Sequence, residues 1–112
     1  MRNKYWFTRD IFSSRVRVHF VNSEFENLDA FLIMANSGAL KDALKVLAEN
    51  PYAEYRDYPG DYLTLRAVAG WVTAEINLFG NRADVRLPAE LFVKVTSEYL
   101  EETEKLYRER SR

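Results

Sequence analysis

A chain of 112 residues, 47% hydrophobic and 14% aromatic, can bury one core and is too short for two ordinary domains, so residues 1–112 are read as a single domain. With no cysteine there is no disulfide framework, no thiolate zinc site and no cysteine nucleophile, which suits a reducing compartment and gives a cytoplasmic expectation. The formal net charge of -1 argues against nucleic acid as the main ligand, because that binding rests on phosphate neutralisation by a basic patch.

The N-terminal Met1-Arg2-Asn3-Lys4 is basic, but the apolar run after it, Tyr5 to Phe7, is too short for a signal peptide or a membrane span. Lys4 to Thr8 reads as a strand. Arg15 to Val21 reads as its hairpin partner, with Val16, Val18 and Phe20 on one side and Arg15, Arg17 and His19 on the other. Ser23 and Glu26 have capping-box spacing, which predicts a helix starting near Glu24 with Leu28, Phe31, Leu32 and Ala35 inward. Asn36-Ser37-Gly38 stops it, and a second helix is predicted from Ala39 to Glu49 with Leu40, Ala43, Leu44 and Leu47 inward.

From Tyr52 to Tyr62, Tyr52, Tyr55, Tyr58 and Tyr62 alternate with Glu54, Asp57 and Asp61 around Pro59-Gly60. The Pro-Gly pair favours a hairpin turn; a short helix capped by Asn50 is the alternative, and the β-rich run that follows favours strand. Tyr62 to Ala69 and Trp71 to Phe79 are predicted strands with a bulge or bend at Gly70. Phe79-Gly80-Asn81-Arg82 is a turn into a strand over Ala83 to Leu87. Pro88 opens a last helix whose stripe is Leu91, Phe92, Val95, Tyr99 and Leu106, and whose outer acids Glu98, Glu101, Glu102 and Glu104 read as solvated. The expected fold is α+β: an antiparallel sheet of about four to six strands, two helices after an N-terminal hairpin, and a long C-terminal helix packed on the sheet.

Catalysis finds little support. His19 is the single histidine, so most imidazole-based acid–base pairs and two-histidine metal sites are excluded. Gly38, Gly60, Gly70 and Gly80 are isolated, so no phosphate-binding glycine loop can be built. No cofactor or metal is expected, and the chain is read as a non-enzyme. Charge is uneven: residues 1–20 carry five basic groups against Asp10, whereas residues 21–64 carry eight acids against Lys41, Lys45 and Arg56. Tyrosines give large, stiff contact area, and acids beside them steer a basic partner. The expected partner-binding residues are therefore Glu54, Tyr55, Asp57, Tyr58, Asp61 and Tyr62.

Glu26-Asn27-Leu28-Asp29-Ala30 is similar to the run that opens the inhibitory helix of barstar, an immunity protein that blocks a secreted ribonuclease. The resemblance covers five residues; where the barstar pattern has a later helix acid, this chain has Ile33. It implies partner-binding roles for Asn27 and Asp29. The leading expectation is a non-catalytic immunity or inhibitor protein of bacterial type, monomer or dimer, that occludes the basic active site of one protein partner such as a toxin or nuclease. The alternatives are a homo-oligomeric structural or adaptor domain and, third, a small RNA-binding or ribonuclease-like domain using Arg15, Arg17 and His19.

Overall fold

The computed structural model describes residues 4–10, 12–50, 52–57 and 62–110. The alternation around Val16 folds as expected: β1 (Tyr5–Asp10) and β2 (Arg15–Phe20) form an antiparallel hairpin running from Tyr5↔Phe20 to Asp10↔Arg15, with Val16, Val18 and Phe20 buried.

The first helix starts later than its capping-box spacing predicts. Asn22 accepts the Glu24 N–H at 3.0 Å on its side chain and the Phe25 N–H on its carbonyl, winding Ser23–Phe25 into a 3-10 turn. Phe25 is buried against Phe20, so α1 (Asn27–Met34) begins only after that anchor, and Glu26 makes no side-chain cap. The second helix starts earlier than predicted. The Asn36 side chain accepts the Ala39 N–H at 2.7 Å, which makes Asn36 the N-cap of α2 (Ser37–Glu49) and places Ser37 and Gly38 inside the helix.

After α2 come β3 (Glu54–Arg56), β4 (Leu63–Val68), β5 (Trp71–Leu78) and β6 (Asn81–Pro88), an antiparallel meander in the order β3-β4-β5-β6. The Tyr52–Tyr62 segment thus takes the strand form, though for only three residues. Its Tyr58-Pro59-Gly60-Asp61 turn lies outside the described residues. The bulge or bend expected at Gly70 is a two-residue hairpin turn: Ala69 (φ 52°) and Gly70 (φ 82°) are both left-handed, as are Phe79 (φ 52°) and Gly80 (φ 83°) in the next turn. Asn81 and Arg82, expected within that turn, are already in β6. Pro88 still pairs with Trp71, and α3 (Ala89–Arg110) follows directly, the Ala89 N–H donating to the Gly70 carbonyl at 2.8 Å.

Period-2 alternation buries Leu63, Leu65, Ala67, Val72, Ala74, Ile76, Ala83, Val85 and Leu87 on one face of the four-stranded sheet. The helices cover this face, with α1 along β6 and β5, α3 between the sheet and β2, and α2 beside β3. The opposite face is open to solvent, as an antiparallel sheet allows. The architecture is α+β, with the six strands among the described residues divided into a two-stranded and a four-stranded sheet. Phe31 on α1 meets Phe92 on α3 at 6.2 Å, edge to face, in the middle of the core. The outer acids of α3 are partly engaged. Glu98 accepts the Tyr5 hydroxyl, and Arg9 reaches Glu102 and Glu109, so α3 straps β1 through its side chains.

Candidate functional site

Alternation along β3 divides the tyrosine segment between two faces. Glu54 and Arg56 project from the open side and pair with each other at 3.1 Å. Tyr55 projects to the helix side, half-buried against the core, where it meets Tyr62 and the acids Asp57 and Asp42. Burial raises the Tyr55 phenol above its ordinary range, and the charges of Asp57 and Asp42 add to the rise.

Tyr62 is fixed more firmly. Its hydroxyl accepts from the Asn36 side chain at 2.7 Å and from the Asn36 N–H at 3.3 Å. Burial raises this phenol also; Asp57 adds to the rise while the Asn36 donors oppose it. Tyr52, at 68% exposure, stands free at the start of the segment. The structure therefore brings Tyr55, Asp57 and Tyr62 together where β3 meets α2 and adds Asp42 and Asn36 to them. Tyr58 and Asp61 lie outside the described residues.

Asn27 and Asp29 do not join this group. The Asn27 side chain donates to the Asp84 carbonyl on β6, the other edge of the sheet and roughly 14 Å from β3 by strand spacing. Asp29 turns toward β2, accepting from Arg17 Nε at 3.0 Å and from the Val18 N–H at 3.0 Å. Both residues are engaged in bonds within the fold. Arg15, Arg17 and His19 share the outward side of β2 as expected, and each is similarly occupied. Arg15 donates to the Ile33 carbonyl, Arg17 pairs with Asp29, and His19 stacks on Trp6 and bonds Thr8.

Phe79, read from sequence as the end of one strand and the start of a turn, stands out in the structure. It is 96% exposed and left-handed in φ, a conformation that suits Asn, Asp or Gly at a hairpin tip and disfavours a bulky side chain. The Asn77 N–H donates to the Tyr62 carbonyl at 2.8 Å, so the β5–β6 tip sits at the same end of the sheet as Tyr62 and Asp57. A second exposed set lies on the open face: Arg66, Thr73 and Arg86 share one row across β4, β5 and β6, and Arg86 stacks over Trp71 at 5.2 Å. Acids Glu75 and Asp84 share that face and bind Arg82, which keeps it mixed in sign.

Among the described residues, no group of three or more His, Asp or Glu side chains is placed to hold a metal ion, and no helix is long and apolar enough to cross a membrane. Comparison of the chain with protein-family models, with curated proteins and with solved structures finds no match.

Proposed function

We propose that this chain is a non-catalytic, cytoplasmic protein-binding protein of the immunity or inhibitor kind, which neutralises one partner by covering a basic active site on it. The observation that carries the reading is the convergence, at one end of the sheet, of Asp42 and Asp57 beside Tyr55 and Tyr62, with Phe79 exposed nearby. In this mechanism Asp42 and Asp57 draw a basic face toward the end of the sheet, and Phe79 buries against it. Charge accelerates encounter, and aromatic burial slows release. Asn27 and Asp29 act within the fold on this reading, and Glu54 is balanced by Arg56.

The test is direct. The product of the reading frame beside this gene is expressed alone and together with the chain, and its toxicity or nuclease activity is measured. Protection by the wild-type chain and its loss in the Asp42→Lys/Asp57→Lys variant are expected. A complex that leaves the partner fully active contradicts inhibition.

One observation supports a second reading, homo-oligomerisation. The Val21 N–H bonds the Lys4 carbonyl and the Val18 N–H turns outward to Asp29, so the backbone groups of Tyr5, Phe7 and Arg9 face away from β2 along a free strand edge. Solution mass separates the two. A monomer is expected for the inhibitor, and a concentration-independent dimer for the edge-paired assembly.

A further inference from the structure

A cavity of about 490 Å³ opens where the β1–β2 turn, the α1–α2 junction and the last turns of α3 meet. It shares Asn36 with the inhibitor surface, where the Asn36 side chain holds the Tyr62 hydroxyl, but its arginines lie outside that surface and the inference does not rest on that reading. Two guanidinium groups from distant parts of the chain line it, Arg15 at the start of β2 and Arg110 at the end of α3. Arg15 uses one donor on the Ile33 carbonyl at 2.9 Å, which fixes the side chain and leaves the remaining N–H groups of its fork for another acceptor. Arg110 makes no ion pair among the described residues.

The rest of the wall has the same chemical bias. Ser14, Ser37, Thr103 and Tyr99 line the cavity, and among the described residues no aspartate or glutamate does. Among the described residues the wall thus carries two arginines, with the Asp10 carboxylate at its rim on the Ser13 N–H, and the wall itself favours negative charge. Tyr99 is more than nine-tenths buried, and the Arg15 charge acts on its phenol. The carboxylate that acts on Tyr99 is Asp29, which is already bound to Arg17. Val16, Ile33 and Met34 supply an apolar floor.

We infer that this cavity binds a small phosphomonoester, its phosphate held between Arg15 and Arg110 and its organic part resting on Met34 and the Tyr99 side. Paired arginine forks match the geometry of a phosphate and favour it over a simple halide. The volume is in the range of small-ligand sites and well beyond a bare phosphate ion, which is why the ligand class includes an organic portion.

The experiment uses the full chain at constant ionic strength, titrated with inorganic phosphate, with adenosine monophosphate and with glucose 6-phosphate, chloride serving as the control. Amide chemical shifts and calorimetry are read together. Saturable shifts centred on Ser14, Arg15, Ser37 and Thr103 are expected, with at least one phosphomonoester binding more tightly than inorganic phosphate. Arg110→Gln, at an exposed helix end that leaves the fold intact, should weaken binding by about tenfold or more, and Arg15→Gln likewise. Absence of saturable shifts with all three phosphates overturns the inference. So does binding that Arg110→Gln leaves unchanged, or shifts that centre elsewhere on the surface.

Discussion

The Asn36 side chain joins two parts of the fold at once: its oxygen caps α2 through the Ala39 N–H and its amide nitrogen donates to the Tyr62 hydroxyl, both at 2.7 Å. The start of α2 is thereby tied to the residue that leads into β4. Asn36→Ala should lose the cap, about 1 kcal/mol, and the tyrosine bond, about another 1 kcal/mol. Asn36→Ser should recover the first loss and not the second. Urea denaturation of the two variants and the wild type separates the contributions.

The tyrosines give the protein an alkaline limit. Tyr5, Tyr55, Tyr62 and Tyr99 all have phenols raised above their ordinary value of 10.0, each chiefly by burial. A folded-state value above the unfolded one means that the folded chain holds its proton more strongly. The associated stability is fully present below pH 10.0 and is lost as pH rises through the higher folded values. Ultraviolet titration should show the phenolates of these four appearing late and together with unfolding. Early, independent ionisation of all seven tyrosines contradicts this.

Phe79 is placed against its own local preference, and Phe79→Asn should therefore stabilise the fold. Relief of a left-handed backbone is worth about 1 kcal/mol, which corresponds to a rise in Tm of roughly 4 °C. The same substitution should speed dissociation of the partner, because it removes an aromatic anchor. A variant that is more stable and binds as tightly as wild type assigns Phe79 no part in recognition.

Asp29 is expected to behave as a structural residue. Asp29→Ala leaves the Val18 N–H and the Arg17 guanidinium without their acceptor, and should cost about 2–3 kcal/mol in denaturation. Partner affinity of the molecules that remain folded should be unchanged. Lost affinity with an intact fold restores Asp29 to the contact surface.

The strands were readable from sequence because a period of two is a local property, visible in Val16-Arg17-Val18-His19-Phe20 without knowledge of the rest. Helix starts were less so. Asn36 caps α2 with the Tyr62 hydroxyl beside it, whereas Asn22 winds a 3-10 turn anchored by buried Phe25, and α1 starts after it without a side-chain cap. Tyr55, Asp57 and Tyr62 were singled out from their spacing, whereas Asp42 joins them only through the packing of α2 beside β3. The resemblance that suggests a partner-binding role for Asp29 carries no sign of the bonds the fold supplies to it from Arg17 and Val18. The anion-selective cavity draws on residues from 13 to 110, a separation that no local pattern reveals.

The most direct test of the inhibitor reading is the association rate of the chain with the neighbouring gene product as a function of ionic strength, for wild type and for Asp42→Lys/Asp57→Lys. The wild-type rate should fall steeply with added salt, and the variant should associate more slowly with a much flatter salt dependence. Equal rates and equal salt slopes for the two proteins contradict the account and move recognition away from the β3 end of the sheet.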